Sequence, residues 1–295
     1  MRILLLGANG QVGHELRGTL APLGKLTLAT RSGELIDGAA CIAADLADSA
    51  SLARALTDAD ADLVVNAAAH TAVDKAESEP ELAHRINAEA VGEIAGWCAV
   101  HGRRLVHYST DYVFPGDGRR PYVEDDPTGP LGVYGESKLA GEHAIITSGC
   151  NHLIFRTAWV YAADHGHNFL RTMLRLGAER DELRVVDDQV GSPTPASLIA
   201  SLTADAISKP AASGTYHLTT SGQTSWAGFA ARIFELAVNA NLIPKAPRVT
   251  GIPSADYPTP ARRPAYSRLD CGRLELLLGH SLPEWNSCLE EVLNG

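Results

Sequence analysis

Hydrophobic runs alternate with amphipathic segments of helical length in the first 160 residues. Apolar runs bounded by glycine or polar residues predict strands over 3–7, 25–30, 41–46, 62–69, 104–114 and 152–161. Helical spacing of apolar positions predicts helices over 11–20, 51–58, 80–100 and 133–146. Strands separated by helices form right-handed crossovers, so we predict a Rossmann-type α/β fold, a doubly wound parallel sheet with helices on both faces.

The regular alternation weakens after about residue 160. The later pattern predicts helices over 168–176, 195–207, 225–242, 270–279 and 283–293, and strands over 183–189 and 214–220. Six prolines in 244–264 predict a long irregular loop, which is typical of binding loops. We divide the chain into a first domain, 1–160, and a smaller C-terminal α/β domain, 161–295, some of whose segments could pack back on the first sheet.

Composition narrows the possible partners and compartments. The 295 residues carry a net charge of −10, and an acidic surface repels the phosphate backbone of nucleic acids. No stretch of about 20 apolar residues is present, so we expect no membrane partner. Five scattered cysteines without a C-x-x-C pair favour a reducing, cytoplasmic location. A monomer and a homodimer are both open.

A glycine-rich motif joins the first predicted strand to the first predicted helix. GANGQVG places three glycines at a spacing that lets a backbone turn tightly and aim helix N–H groups at a pyrophosphate. A glycine-rich turn that binds nothing is the alternative. The candidate cofactor residues of this motif are Gly7, Asn9, Gly10, Gln11, Val12 and Gly13.

The end of the second predicted strand indicates which dinucleotide binds. NAD sites place a carboxylate there for the ribose hydroxyls, whereas NADP sites place a cation for the 2′-phosphate. This chain has Arg31 and Ser32 and no carboxylate. We therefore predict NADPH as the cofactor, with NADH possible, while a solvated loop charge is the alternative role for Arg31.

Residues after the third and fourth predicted strands complete the candidate cofactor site. Asp45 and Leu46 are placed to contact the adenine, although Asp45 could instead cap the next helix. The small residues Ala67, Ala68 and Ala69 allow the backbone to pass close to a cofactor.

The fifth predicted strand and the following helix supply groups for chemistry. Ligands of open α/β sheets bind at the carboxyl ends of strands, which directs Thr110 toward the cleft. Tyr134 and Lys138 lie four positions apart on one helix face. A ketone reduced by hydride needs a proton, which a tyrosine can supply when an ammonium lowers its pKa. With Thr110 as hydrogen-bond donor to the oxyanion, these three are the predicted catalytic residues.

Longer motifs resemble the extended short-chain dehydrogenase/reductase superfamily, and they occur in order along nearly the whole chain. They are GANGQVG (7–13), NAAAHTAVDKAESEPELAHRINAEA (66–90), STDYVFPGDG (109–118), YGESKLAGE (134–142), RTAWVY (156–161), DDQVGSPT (187–194) and RRPAYSRLD (262–270). The resemblance implies that NADPH reduces the C4 ketone of dTDP-6-deoxy-L-lyxo-4-hexulose to give dTDP-L-rhamnose. A dTDP-sugar is thus the expected partner.

The resemblance also implies roles for individual residues. At the matching positions, Tyr134 and Lys138 would contact the cofactor, with Lys138 holding the nicotinamide ribose. For Arg262 and its neighbour Arg263, contact with a diphosphate and solvation of the loop are both open. The residues implied for the substrate are Asp111, Tyr112, Val113, Trp159, Asn168 and Arg262.

A metal-linked dimer is the point at which the chain departs from the family pattern. Some members bind magnesium at a dimer interface through glutamates, and Glu15 matches one of them. The carboxylate expected shortly after DDQVGSPT is absent, because residues 195–197 are Pro-Ala-Ser. We therefore predict no metal site, with Glu15 a weak candidate that equally suits the first turn of a helix.

Two other functions are open. A regulatory subunit of the methionine adenosyltransferase type would bind NADP and act through a partner protein. Another NDP-sugar reductase, epimerase or dehydratase is the second alternative, although a dehydratase would require more carboxylates than the single Asp111 after Thr110. We expect structural or cofactor-lining roles for His70 and His107, and a core position for Trp226.

Overall fold

The computed structural model describes residues 1–35, 37–210 and 213–294. Its strands are β1 (Arg2–Leu6), β2 (Lys25–Thr30), β3 (Ile42–Ala43), β4 (Leu63–Asn66), β5 (Arg104–Thr110), β6 (Asn151–Thr157), β7 (Val160–Tyr161), β8 (Glu182–Val186), β9 (Val190–Gly191), β10 (Thr194–Pro195), β11 (Gly214–His217), β12 (Thr224–Ser225) and β13 (Arg248–Ile252). Its α-helices are α1 (Gln11–Leu20), α2 (Ser49–Ala59), α3 (Val73–Ala76), α4 (Pro80–His84), α5 (Ala90–Val100), α6 (Val133–Ser148), α7 (Phe169–Glu179), α8 (Ala196–Ser208), α9 (Trp226–Asn239), α10 (Gly272–Leu278) and α11 (Trp285–Asn294).

Seven parallel strands form the central sheet, in the order β3-β2-β1-β4-β5-β6-β11. The first six follow the strand order of the Rossmann fold. The direction of winding reverses between β1 and β4, and such a reversal opens a crevice at the carboxyl ends of the strands where dinucleotides bind. The predicted fold class is confirmed.

Successive side chains of a strand point to opposite faces of the sheet, and helices cover both faces. Leu5 of β1 packs in one hydrophobic cluster with residues of α1, α8 and α10. Leu4 packs in a second cluster with residues of α2 and α5. Strands covered on both faces need apolar side chains at nearly every position, which explains the uninterrupted hydrophobic runs of the sequence.

The C-terminal part has a smaller core of its own, in which α7 and α9 pack with β8 and β13. The prediction of an irregular loop over 244–264 is wrong at its centre, where β13 pairs in parallel with β8. Pro247 and Pro253 stand at the two ends of this strand, so neither removes a hydrogen-bond donor from its interior.

The chain crosses back over the predicted division at residue 160. Strand β11 adds to the edge of the central sheet beside β6, and α8 packs against α1. The division itself stays a prediction. Within the described ranges, no helix has both the length and the apolar character needed to cross a bilayer.

The helix predicted over 80–100 is continuous but contains a π-turn at Arg85–Glu89. Inside this turn Asn87 is fully buried. The His70 N–H donates to Asn87 Oδ1 (2.8 Å), while Asn87 Nδ2 donates to the His70 carbonyl (3.1 Å) and to Ser137 Oγ (3.0 Å). The π-turn, a feature frequent at functional sites, thereby ties the loop after β4 to α6.

Candidate active site

The turn between β1 and α1 brings backbone segments into very close contact. Gly7 has a φ of +80°, which favours glycine, and a Cβ atom on Gly13 would lie 2.0 Å from the Gly7 carbonyl oxygen. Gly10 is the N-cap of α1, and no side chain in the described part of the chain caps this helix. The first N–H groups of α1 are therefore available to an anion, and the turn fits a pyrophosphate.

The second and fourth strands place the other predicted cofactor residues around this turn. Arg31 and Ser32 are exposed directly after β2. Half-buried Ala67, Ala68 and Ala69 follow β4, and a Cβ atom on Gly7 would lie 2.7 Å from the Ala68 nitrogen. The loops after β1 and β4 thus touch at the crevice, as close passage of a cofactor requires.

The residues after β3 have roles that can be partly assigned. Asp45 is not the N-cap of α2, because Asp48 accepts a hydrogen bond from the Ala50 N–H (2.9 Å) in that role. Asp45 instead accepts from the Ala47 N–H (2.9 Å). The Leu46 side chain is buried in the hydrophobic core. Contact of Asp45 and Leu46 with the adenine stays a prediction.

The loop after β7 packs on the N-terminus of α1. His165 Nε2 lies 3.0 Å from the Gln11 carbonyl oxygen, and Asn168 Nδ2 donates to Gln11 Oε1 (2.8 Å). Asn168 also caps α7 by accepting from the Arg171 N–H (3.1 Å). The predicted contact of Asn168 with a sugar stays a prediction, whereas its observed partners join this loop to the glycine-rich turn.

The three predicted catalytic residues converge where β5 ends and α6 begins. Thr110 is the last residue of β5, and Tyr134 is the second residue of α6. The turn that follows β5 lies close to the start of α6 because Gly135 lacks a side chain. A Cβ atom on Gly135 would lie 2.3 Å from the Tyr112 carbonyl oxygen. The rings of Tyr112 and Tyr134 meet edge to face, with centroids 5.4 Å apart. Lys138 follows one turn later on α6.

The Lys138 amine bonds to β5. Its Nζ lies 2.6 Å from the Tyr108 carbonyl oxygen and 3.2 Å from His107 Nε2. Burial lowers the pKa of Lys138 to about 8. Desolvation of the hydroxyl, followed by the Asp111 charge, raises the pKa of Tyr134 above its usual value. The expectation that Lys138 lowers the pKa of Tyr134 is therefore wrong for this arrangement.

Asp111 is a buried carboxyl group next to the predicted catalytic threonine. Thr110 Oγ1 donates to Asp111 Oδ1 (2.9 Å) and accepts from the Tyr112 N–H (3.2 Å). Burial raises the pKa of Asp111 to about 6, against the opposing effect of hydrogen bonds from Ser267 and Thr110. Perturbed carboxyl groups of this kind cluster at functional sites, which supports the predicted location of the site.

Residues predicted to line the sugar differ in how far their side chains are exposed. Tyr112 is half-buried near Tyr134, whereas Val113 is completely buried against Phe114 and Tyr122. The prediction for Val113 is corrected, because its side chain has no exposed surface with which to contact a sugar. Trp159 has an unusual φ of +50° and stacks on Trp226, with ring centroids 3.6 Å apart.

The proline-rich loop contacts α3 through Arg263. Arg263 Nη2 lies 2.8 Å from Asp74 Oδ2 on α3, and Asp74 Oδ1 accepts from the Ala261 N–H (3.2 Å). Arg263 Nη1 also lies 3.5 Å from the Tyr112 hydroxyl. Arg262 is exposed, and its contact with a diphosphate stays a prediction.

Glu15 lies on α1, with Oε1 3.5 Å from His165 Nε2. Within residues 1–35, 37–210 and 213–294, no group of three or more His, Cys, Asp or Glu side chains is arranged to bind a metal ion. Glu15 and His165 therefore do not form part of such a group among the described residues of a single chain.

Comparison with known proteins assigns the family. A family model described as the RmlD substrate binding domain matches residues 1–295. The chain belongs to this family. A dTDP-4-dehydrorhamnose reductase of Escherichia coli K12 is 47% identical over 298 residues, covering 100% of this chain and 97% of the relative.

Solved structures of the family agree with this fold. The crystal structure of a dTDP-4-dehydrorhamnose reductase from Clostridium acetobutylicum superposes with a TM-score of 0.90 at 36% identity, covering 100% of this chain and 99% of that one. A dTDP-4-dehydrorhamnose reductase from Bacillus anthracis, in complex with NADP, gives 0.89 at 33% identity, covering 99% and 98%.

Several residues of the site were not predicted. Trp226 packs against the C-terminal core, as expected, but its stack with Trp159 and its hydrogen bond from Nε1 to Gln189 Oε1 (3.1 Å) were not predicted. Asp74 received no role from the sequence, although it lies within the motif 66–90. Asn66, the last residue of β4, received no role either; it is buried, and its Nδ2 lies 3.2 Å from Nδ1 of His107, for which a structural or cofactor-lining role was expected.

Proposed function

We propose that the chain reduces the C4 ketone of dTDP-6-deoxy-L-lyxo-4-hexulose with NADPH and forms dTDP-L-rhamnose. The relatives named dTDP-4-dehydrorhamnose reductase support this substrate, and the relative in complex with NADP supports the cofactor. The observation that carries the proposal is the convergence of Thr110, Tyr134 and Lys138 at the sheet edge that also holds the glycine-rich turn.

The cofactor would be held by residues whose geometry suits its parts. The glycine-rich turn and the free N–H groups of α1 would bind the pyrophosphate, Arg31 the 2′-phosphate, and Lys138 the nicotinamide ribose. The bound nicotinamide supplies the hydride.

The chain's own residues would donate the proton and contact the substrate. Tyr134 would donate its hydroxyl proton to the C4 oxygen, and Thr110, at the end of β5, would lie beside the same oxygen. Tyr112 and Trp159 would contact the sugar nucleotide from the two sides of the cleft. We also propose a cytoplasmic location, which the five free cysteines support, and either a monomer or a homodimer without a metal link.

A turnover assay with a matched pair of variants tests the proposal. Purified protein is incubated with NADPH and the keto sugar nucleotide, and the absorbance of NADPH is followed. Tyr134→Phe should lower kcat by about 100- to 10,000-fold, because it removes the proton donor. Tyr257→Phe removes the same hydroxyl from an exposed loop residue and should leave kcat unchanged.

Two results would contradict the proposal. The absence of turnover by wild-type protein, with confirmed substrate present, would reject the reductase activity, and tight NADP binding without turnover would favour a regulatory role. A Tyr134→Phe variant that keeps most of its kcat would remove Tyr134 from the proton step.

A further inference from the structure

The last residue of β2, Thr30, is buried and bonds to the loop that follows the strand. Thr30 is 1% exposed, and its Oγ1 accepts from the Gly33 N–H (3.1 Å) and from the Glu34 N–H (3.2 Å). The same Oγ1 donates to the Glu34 carbonyl oxygen (3.1 Å). One hydroxyl therefore ties the backbone of the turn over 31–34 to the end of the strand.

Strand β3 and the hydrophobic core hold the same turn from its other side. Gly33 has a φ of +77°, and a Cβ atom on it would lie 3.0 Å from the Ala43 nitrogen of β3. The Ala44 N–H donates to the Thr30 carbonyl oxygen (2.8 Å). Leu35 packs against the cluster that contains residues of α1 and α8. The turn is thus fixed at both ends, by Thr30 before it and by Leu35 after it.

The two residues at the tip of this turn, Arg31 and Ser32, are exposed. Among the described residues, none forms a hydrogen bond or an ion pair with the Arg31 side chain. A cation carried by a fixed backbone loses less conformational freedom on binding an anion than a cation on a flexible loop does, and this raises affinity. The turn is therefore suited to a phosphate group.

Thr30 occupies the position at which an NAD site carries its carboxylate. That acidic residue lies at the end of the second strand, about 20 residues after the glycine-rich motif, and binds the ribose hydroxyls. Thr30 follows Gly10 at this distance. A hydroxyl has one proton and two lone pairs, and the backbone of Gly33 and Glu34 uses all of them here. The Thr30 side chain therefore offers no acceptor to a ribose.

We propose that Thr30 is a positioning residue that sets the preference for NADPH over NADH, because it holds the turn that presents Arg31 and Ser32 to the 2′-phosphate. It does so at the position where a carboxylate would serve NADH. This role of Thr30 rests on the assignment of Arg31 to the 2′-phosphate in the proposed function. Both concern cofactor binding, which is measured without the sugar nucleotide.

The first test compares the Kd values of NADPH and NADH by isothermal titration calorimetry. Thr30→Val keeps the shape of the side chain but removes its hydroxyl, so the turn loses its bonds to the strand end. We expect the Kd for NADPH to rise by at least about tenfold and the Kd for NADH to change by less than about threefold, because only NADPH uses the turn. Thr30→Ser keeps the hydroxyl and should keep the wild-type ratio of the two Kd values.

A matched control removes a hydroxyl from the middle of the same strand. Thr27→Val should change neither Kd. An equal rise of both Kd values in Thr30→Val would show general damage to the adenosine side of the site and would overturn the proposal. An unchanged Kd for NADPH in Thr30→Val, or a Thr30→Ser variant that binds both cofactors as Thr30→Val does, would overturn it as well.

The second test asks whether Thr30 acts through Arg31. Arg31→Ala should raise the Kd for NADPH selectively. When Thr30→Val is added to Arg31→Ala, the Kd for NADPH should rise by less than about threefold more, because the turn has no cation left to present. A further rise as large as that of Thr30→Val alone would show that the threonine acts independently of Arg31 and would contradict the proposal.

The two variants also separate this role of Thr30 from the proposed function. If Arg31→Ala leaves both Kd values unchanged, the assignment of Arg31 to the 2′-phosphate is wrong, and the role of Thr30 falls with it. If Arg31→Ala weakens NADPH selectively and Thr30→Val does not, the assignment of Arg31 stands and only the role of Thr30 is rejected.

Discussion

At the scale of single residues, the ionisation of Asp111 is linked to stability. Its pKa is about 6 in the folded protein against 3.8 as its ordinary value, because burial disfavours the carboxylate. The folded protein therefore binds this proton more tightly than the unfolded chain does. It follows that stability falls as pH rises from about 4 to about 6, and the cost is fully present above that range.

Replacement of Asp111 by asparagine should remove this cost. At about pH 7.5 we expect Asp111→Asn to raise the free energy of unfolding by up to about 3 kcal/mol, and at about pH 3.5 the ionisation term should vanish. Urea unfolding at the two pH values measures the difference. Exposed Asp58→Asn is the control, with changes below about 0.5 kcal/mol at both. An equal effect of Asp111→Asn at both pH values would contradict the explanation.

At the scale of secondary-structure elements, two contacts hold the site's helices in place. A buried ion pair fixes α6, which carries Tyr134 and Lys138, to β6. Arg156 Nη2 and Nε lie 2.6 Å and 2.9 Å from the Glu142 oxygens, with side-chain exposures of 6% and 1%. A single lost partner would leave an unpaired buried charge, which is far more costly than loss of a surface pair.

Glu142→Gln should therefore lower the free energy of unfolding by about 3–5 kcal/mol, because the Arg156 charge loses its counterion. Glu136→Gln removes an exposed carboxylate from the same helix and should cost less than about 0.5 kcal/mol. Chemical denaturation compares the two variants. Equal stability of both would show that the ion pair does not hold α6.

The second contact is the packing of α1 on β1. Gly13→Ala would force a Cβ atom to within 2.0 Å of the Gly7 carbonyl oxygen, so the glycine-rich turn must distort. We expect NADPH affinity to fall by at least about tenfold, or about 1.4 kcal/mol, as measured by quenching of tryptophan fluorescence. Gly18→Ala, five residues later on the same helix, has no atom within 4 Å and should keep its affinity. Unchanged binding by Gly13→Ala would contradict the assignment of this turn.

At the scale of the whole molecule, the two parts of the chain meet across the cleft. The proline-rich loop reaches Asp74 of α3 through Arg263 and the Ala261 N–H, which lie 189 and 187 positions away in sequence. On the other side, the loop after β7 reaches Gln11 of α1 through His165 and Asn168. These contacts join segments that are far apart in the sequence on two sides of the predicted site.

Loss of the Asp74 contacts should weaken substrate binding more than it slows the reaction. Asp74→Ala removes both carboxylate oxygens that accept hydrogen bonds from the proline-rich loop. We therefore expect the KM for the sugar nucleotide to rise by about tenfold, with kcat changed by less than about threefold. Asp74→Asn keeps an acceptor for the Ala261 N–H and should be intermediate. Steady-state kinetics at saturating NADPH provide the measurement. A fall in kcat alone would place Asp74 in the chemistry rather than in the shape of the cleft.

The accuracy of the sequence prediction varied with the range of the interactions involved. Local patterns located the glycine-rich turn and the helix carrying Tyr134 and Lys138, because strand ends and helix faces follow from spacing of two to four residues. The error at β13 arose because five residues between prolines carry a weak signal, and only pairing with β8 stabilises them as a strand. The stack of Trp226 on Trp159 was missed because Trp159 lies on a distant segment.

The sequence by itself determined the fold class, the glycine-rich turn and the presence of a threonine, a tyrosine and a lysine at positions suited to reduction. Each of these depends on residues close together in the chain. Only the tertiary structure decided that Val113 is buried, that Trp159 stacks on Trp226, and that His107 lies under Lys138. The physical reason is that burial and hydrogen-bond direction depend on neighbours brought from distant elements, and the charge of a buried amine depends on those neighbours.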